Sequence, residues 1–222
     1  MFLRSAVLIL SASVVALAGS PAWAESAKLK PADVKTHPHA RAAVTSSAST
    51  RAYEVAMQKM HQEMNAPLSG NATIDFVRQM IPHHQGAVDM AKIQLQYGHD
   101  ERLKTFNRWI IRAQEKEIAF MKNWLAGHDN GKHIAGATDY YGDAMMAMHR
   151  GMMVEYTGDA DVDFVRGMIP HHQGAVDMAS ILLAEGSNLE LNRLASNIYS
   201  SQTYEIAWMQ DWLSTHRANQ CH

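Results

Sequence analysis

The stretch Met80-Ile81-Pro82-His83-His84-Gln85-Gly86-Ala87-Val88-Asp89-Met90-Ala91 recurs unchanged as Met168 through Ala179. The two copies lie 88 residues apart, and the offset holds well beyond them. Tyr53 maps to Tyr141, His61 to His149, Asp75 to Asp163, Glu117 to Glu205 and Trp124 to Trp212, with no gap from Tyr53–His128 to Tyr141–His216. An ungapped match of that length reads as a duplication. On a helical wheel of about 100° per residue, Met80, His83, His84, Ala87, Met90 and Ala91 share one arc with Phe76, while Gln85 and Asp89 turn away. Two adjacent histidines therefore lie on the inward stripe of an amphipathic helix.

Outward from this core, each unit reads as three helices. In the first unit they run from near Arg51 to Asn65, from near Asp75 to Tyr97 behind Asn71 or Thr73, and from about Asp100 to Ala126. Pro67, Gly70, Gly98 and Gly127 supply the stops. The second unit repeats the pattern, with Gly158 and Gly186 bracketing its middle helix. No segment alternates like a strand. The fold class is all-α, a helical bundle built by tandem duplication of a three-helix unit. Three helices leave a four-helix core one side short, so either the two units complete each other or two chains do. Pro82 removes one backbone hydrogen bond just before the histidines. It either shapes the bundle or re-aims His83 and His84.

The expected organisation is a signal peptide over 1–24, a flexible leader over 25–50, the first repeat over 51–128, a linker over 129–140, the second repeat over 141–217 and a tail over 218–222. Arg4, the apolar run Ala6–Ala18 and Ala22-Trp23-Ala24 form the signal pattern. The mature chain is then periplasmic or secreted and has no membrane partner after cleavage. A formal charge of −2 argues against a nucleic-acid partner. A single cysteine, Cys221, excludes an intramolecular disulfide and any cysteine-based zinc site. In the leader, His37 and His39 flank Pro38; such a pair is more often solvated than metal-bound.

The chain carries 15 Met and 13 His. Apart from Met1, every Met lies inside the two units. Met57, Met60, His61 and Met64 share a face of the first helix. Gln114, Glu117, Ile118, Met121 and Leu125 share a face of the third. The candidate metal residues are His83, His84, Met80, Met90, His61, Met57, Met64, Met121 and Glu117, with their copies His171, His172, Met168, Met178, His149, Met145, Met152, Met209 and Glu205. Thioether sulfur is soft and suits Cu(I), with Ag(I) as its mimic; imidazole accepts Cu(I) and Cu(II) alike. Oxygen-seeking metals are poorly served, and methionine adds little for zinc. Core packing is the competing role for the methionines. Glu117 and Glu205 are alternatively partners of Arg78 and Arg166 or of a neutral histidine. Asp75 and Asp163 read as helix-start residues, and Trp124 and Trp212 as core anchors.

The doubled motif, with Asp75-Phe76-Val77 ahead of it and Gln114-x-x-Glu117-Ile118-x-x-Met121-x-x-Trp124-Leu125 behind it, resembles the ferritin-like domain-of-unknown-function family 305, which includes CopM-like periplasmic copper-binding proteins. The resemblance covers both units. It implies a helical bundle and, for some members, copper binding that protects the cell. It carries a ligand role onto His83, His84, Met90, His171, His172 and Met178, and further onto Met80, Met121, Met168 and Met209. A di-iron oxidase is disfavoured, because each unit offers one inward Glu and no Glu-x-x-His pair. The expected function is binding, buffering or delivery of copper without catalysis, with a homodimer or other periplasmic copper proteins as partners. The alternatives are a metal-dependent oxidoreductase and a helical interaction module that binds no metal.

Overall fold

The computed structural model describes residues 46–220, with side chains described through residue 216. The expected signal segment, most of the leader with His37 and His39, and Cys221 lie outside the described residues. Six helices follow in order: α1 (Ala48–Met64), α2 (Ala72–Tyr97), α3 (Glu101–His128), α4 (Gly142–Met152), α5 (Ala160–Glu185) and α6 (Leu189–Gln220). The described residues contain no strand. None of these helices is long and apolar enough to cross a membrane.

Short polar residues set the helix starts by accepting from orphan backbone N–H groups. Ser47 caps α1 through Thr50 N, Asn71 caps α2, Asp100 caps α3 through Leu103 N, and Asp159 caps α5. Asn188 accepts from Leu191 N at the start of α6. Asp75 and Asp163 lie in the first turns of α2 and α5, as their reading as helix-start residues expects, and they also hold the preceding loops. Asp75 accepts from Ser69 N and Gly70 N, and Asp163 from Thr157 N and Gly158 N. α1 begins three residues earlier than the sequence pattern suggests, because Ser47 is its cap. α6 runs to Gln220, past residue 217 where the second repeat was expected to end. α2 and α5 continue through Pro82 and Pro170 without interruption.

α2 and α5 form the centre. α2 packs on α1, α3 and α5, and α5 packs on α4, α6 and α2. The two central helices run antiparallel. Gln94 near the end of α2 meets Asp161 at the start of α5, while His83 meets His171 midway. One apolar cluster draws on both repeats, including Phe76, Met80, Leu103, Phe164, Met168 and Leu191. The units thus complete each other within one chain. Each repeat also pins the other: Tyr53 Oη donates to the Ala160 carbonyl and Tyr141 Oη to the Ala72 carbonyl.

Glycine sets the close approach of the outer helices. A Cβ on Gly86 would lie 2.5 Å from Met60 Sδ, and one on Gly174 would lie 2.8 Å from Met148 Sδ. The bare backbone at these positions seats a methionine of α1 against α2 and of α4 against α5.

Candidate metal centre

Adjacent residues on a helix point about 100° apart, so His83 and His84 leave α2 in different directions. His83 faces α5, where its Nε2 lies 3.1 Å from the His171 carbonyl. His171 returns the same bond to the His83 carbonyl at 3.1 Å. Their ring centroids are 3.8 Å apart. His84 faces α3, and its Nε2 lies 2.7 Å from Glu117 Oε2. Its copy His172 lies 2.5 Å from Glu205 Oε2.

These contacts fix the tautomers. A carbonyl or carboxylate oxygen can only accept, so each of the four Nε2 atoms carries the proton. In a neutral ring, Nδ1 is then a bare lone pair. All four rings are fully buried. All four Nδ1 atoms lack a hydrogen-bond partner, as do the amide oxygens of Gln79, Gln114 and Gln202. Unpartnered buried polar atoms are rare in folded proteins. Burial pushes His83 and His171 well below the usual imidazole range, and neighbouring histidines push the same way. Both are neutral and free to donate a lone pair.

Around them lie buried thioethers. Met80, Met121, Met168, Met178 and Met209 are fully enclosed, and Met90 nearly so. Among the described residues, no three His, Cys, Asp or Glu side chains lie close enough to hold an ion by themselves. An ion seated here would need donors beyond those side-chain types. The donor set fits a soft ion: neutral imidazole and thioether, with each His84- or His172-type ring held by a carboxylate on its far nitrogen, the arrangement that orients metal-bound histidines.

The remaining candidates separate from this buried group. Met64 and Met152 are buried, Met57 and Met145 are partly buried, His61 is half-buried and His149 is exposed. His61 and His149 meet each other at the surface, with His149 Nδ1 3.1 Å from His61 Nε2. Glu117 and Glu205 sit beside histidines. The alternative pairing of Glu117 with Arg78 does not occur, because Arg78 makes a two-pronged contact with Asp129 of the linker at 2.7 and 2.6 Å. The helical period places His83 and His84 on one stripe and does not show that His83 meets its own copy. The duplication signalled that copies could meet across a pseudo-two-fold axis, but the position of that axis depends on packing.

The family profile of DUF305, a domain of unknown function, matches residues 73–213. The chain belongs to this family. Among solved structures, CopM in its Cu(I)-bound form is 37% identical, with a TM-score of 0.51, over 64% of this chain and 96% of that one. CopM in its Cu(II)-bound form is 35% identical, with a TM-score of 0.52 and the same coverage. A DUF305 fragment from Deinococcus radiodurans is 27% identical, with a TM-score of 0.52, over 65% of this chain and 96% of its own. No match is found among curated proteins.

Proposed function

We propose that this DUF305 protein is exported and binds copper, buffering it or passing it to another exported protein. One observation carries the reading: four buried imidazoles, His83, His84, His171 and His172, whose Nδ1 atoms all lack a hydrogen-bond partner among buried methionines. In this reading those Nδ1 atoms are ligands, with thioethers from Met80, Met90, Met121, Met168, Met178 and Met209. Glu117 and Glu205 hold the rings of His84 and His172 rather than the ion itself. The likeness to CopM, solved with Cu(I), Cu(II) and silver, supports copper as the ion. Export rests on the signal pattern of residues 1–24, and the mature protein corresponds to the leader and both repeats.

Purified mature protein titrated with Cu(I) under reducing conditions and with Cu(II) under oxidising ones tests this. Binding is expected, with sulfur scattering in the copper absorption spectrum of the Cu(I) form. The His83→Gln/His84→Gln/His171→Gln/His172→Gln variant should lose those ions while keeping its helical circular dichroism. Absence of copper binding by the wild type, or unaltered binding by a folded variant, rules the reading out.

A further inference from the structure

The duplication creates a second constellation that neither repeat has alone. His61 on α1 and His149 on α4 are sequence copies, and they touch. Their nitrogens lie 3.1 Å apart and their ring centroids 4.3 Å apart, at 67°. One turn earlier on each helix stand Met57 and Met145, also copies of each other. Residues four apart share a helix face, so each helix offers a Met-x-x-x-His pair. Open grooves flank the histidine contact. One is bordered by Met57 and Glu54 together with both histidines. The other is bordered by Met64, Met145, Met146, Met148 and Asp139, again with both histidines.

We propose that Met57, His61, Met145 and His149 bind one soft monovalent cation, Cu(I) or its mimic Ag(I), shared between the two repeats at the surface and separate from the buried histidines. The proposal rests on the copper reading for the identity of the ion, while the site itself rests on its own geometry. Metal–imidazole bonds of about 2.0–2.1 Å at a tetrahedral angle place two nitrogens roughly 3.3 Å apart. The observed separation therefore has to open by only a few tenths of an ångström. Two thioethers complete a set that favours Cu(I) over zinc or hard cations. In the neutral pair, one of the two facing nitrogens carries a proton. On metal binding that ring shifts the proton to its other nitrogen, which faces away from its partner, so both facing lone pairs reach the ion and no net proton is released.

A shared ion has a distinctive stoichiometry: one per chain at this site, not one per repeat. It also ties α1 to α4, which otherwise belong to different repeats. The buried histidines are sealed from solvent, whereas this pair borders open grooves. An incoming ion therefore meets His61 and His149 without any opening of the core.

The test uses the full mature chain in the His83→Gln/His84→Gln/His171→Gln/His172→Gln background as well as the wild type, titrated with Ag(I) and with Cu(I) against a chromophoric competitor. The quartet variant should retain one equivalent. Adding His61→Ala, or His149→Ala, should each remove that whole equivalent, and the double change should remove no more. Imidazole nitrogen resonances of both His61 and His149 should shift together and saturate at one equivalent of Ag(I). If each single change removes only half of the ion, or if silver shifts one histidine without the other, the shared site is overturned. If the wild type binds copper and the His61→Ala/His149→Ala variant matches it ion for ion, this proposal fails while the copper reading stands. If the quartet change abolishes nothing and the His61→Ala/His149→Ala change abolishes all binding, the shared site stands and the buried ligand assignment fails.

Discussion

His83 and His171 each donate a ring N–H to the other's backbone carbonyl, both at 3.1 Å. Only a pseudo-two-fold axis passing between α2 and α5 gives two sequence copies such reciprocal partners. The relationship explains why a three-helix unit is not a domain by itself. Each unit's central helix completes its core with the other's, and the fully buried His83 and His171 lie on that seam. Residues near the axis meet their own copies, so one mutation in an ancestral unit would have doubled any ligand.

Gly86 and Gly174 should tolerate no side chain, although glycine is a poor helix former. A Cβ on Gly174 would sit 2.9 Å from Met148 Cβ, and one on Gly86 would sit 2.8 Å from Met60 Cγ. Overpacking costs about 1–3 kcal/mol, and the gain in helix propensity offsets up to ~1 kcal/mol of it. Gly86→Ala and Gly174→Ala should each lower stability by about 1 kcal/mol in urea denaturation. Gly127 in α3 has nothing within 4 Å of such a Cβ, so Gly127→Ala should raise stability by a few tenths to ~1 kcal/mol. A stabilising effect at Gly174 would show that α4 is free to move away from α5.

Alkaline pH should unfold the protein through two tyrosines. Burial, reinforced by nearby aspartates, pushes the hydroxyls of Tyr53 and Tyr141 far above the ordinary tyrosine range. Burial also pushes Tyr156 up to about 12. The native state keeps these groups protonated, whereas the unfolded chain releases their protons near pH 10. Their contribution is therefore complete below about pH 10 and is lost as pH rises above it, by up to ~1.4 kcal/mol per pH unit for each of Tyr53 and Tyr141. The melting temperature should fall steeply between pH 10 and 11. Tyr53→Phe/Tyr141→Phe should lose about 1 kcal/mol per hydroxyl at pH 8 yet show a shallower alkaline slope. Parallel slopes for the two proteins would remove these tyrosines from the account.

The elements of the fold were legible because the twelve-residue motif keeps a helical period and its second copy repeats the same order of helices. Inward placement of Glu117 and Glu205 was legible for the same reason. Their partners were legible only as alternatives, Arg78 and Arg166 or a histidine, and the histidines are the ones met. A wheel shows that a carboxylate faces inward, but not which side chain of another helix it meets, and Arg78 found a nearer acceptor in Asp129 of the linker. His61 and His149 were recognisable as copies on Met-rich faces. That they touch follows from how α1 and α4 approach the axis, which Gly86 and Gly174 set through packing.

The two histidine–carboxylate pairs should respond unequally to the same change. The Glu205 side chain is 4% exposed and the Glu117 side chain 22%. Removing His172 strands a carboxylate that water cannot reach, which costs about 3–5 kcal/mol. Removing His84 leaves one that water can partly solvate, so the loss should be smaller by about 1–2 kcal/mol. Thermal or urea unfolding of His172→Ala and His84→Ala in metal-free protein measures the difference. Adding Glu205→Gln to His172→Ala should recover more stability than adding Glu117→Gln to His84→Ala. Equal recovery would mean that both carboxylates are solvated alike.

The two ends of the α2–α5 seam are not copies of each other. At one end Asp161 accepts from Gln94 Nε2 at 2.7 Å and from the backbone N–H groups of His99 and Asp100 at 2.8 and 3.0 Å. Asn107 in turn donates to Gln94 Oε1 at 2.7 Å. The positions 88 residues away hold Thr73, Leu182 and Ala195, so the other end closes without this network. Asp161 thus ties the α2–α3 loop of one repeat to the first turn of α5 in the other, and that tie sets the register placing His83 opposite His171. Asp161→Thr alone strands the Gln94 amide and two loop N–H groups, at about 1–3 kcal/mol for each group that stays buried. Gln94→Leu alone strands the Asp161 carboxylate and the Asn107 amide. Made together, the two changes remove donor and acceptor at once and approach the apolar solution already used at the other end. A double-mutant cycle in urea should therefore show the pair costing less than the sum of the singles, by about 0.5–3 kcal/mol, with Asn107→Ala recovering more. Additivity within ~0.3 kcal/mol would mean that the register is held by apolar packing alone and that the asymmetry is incidental.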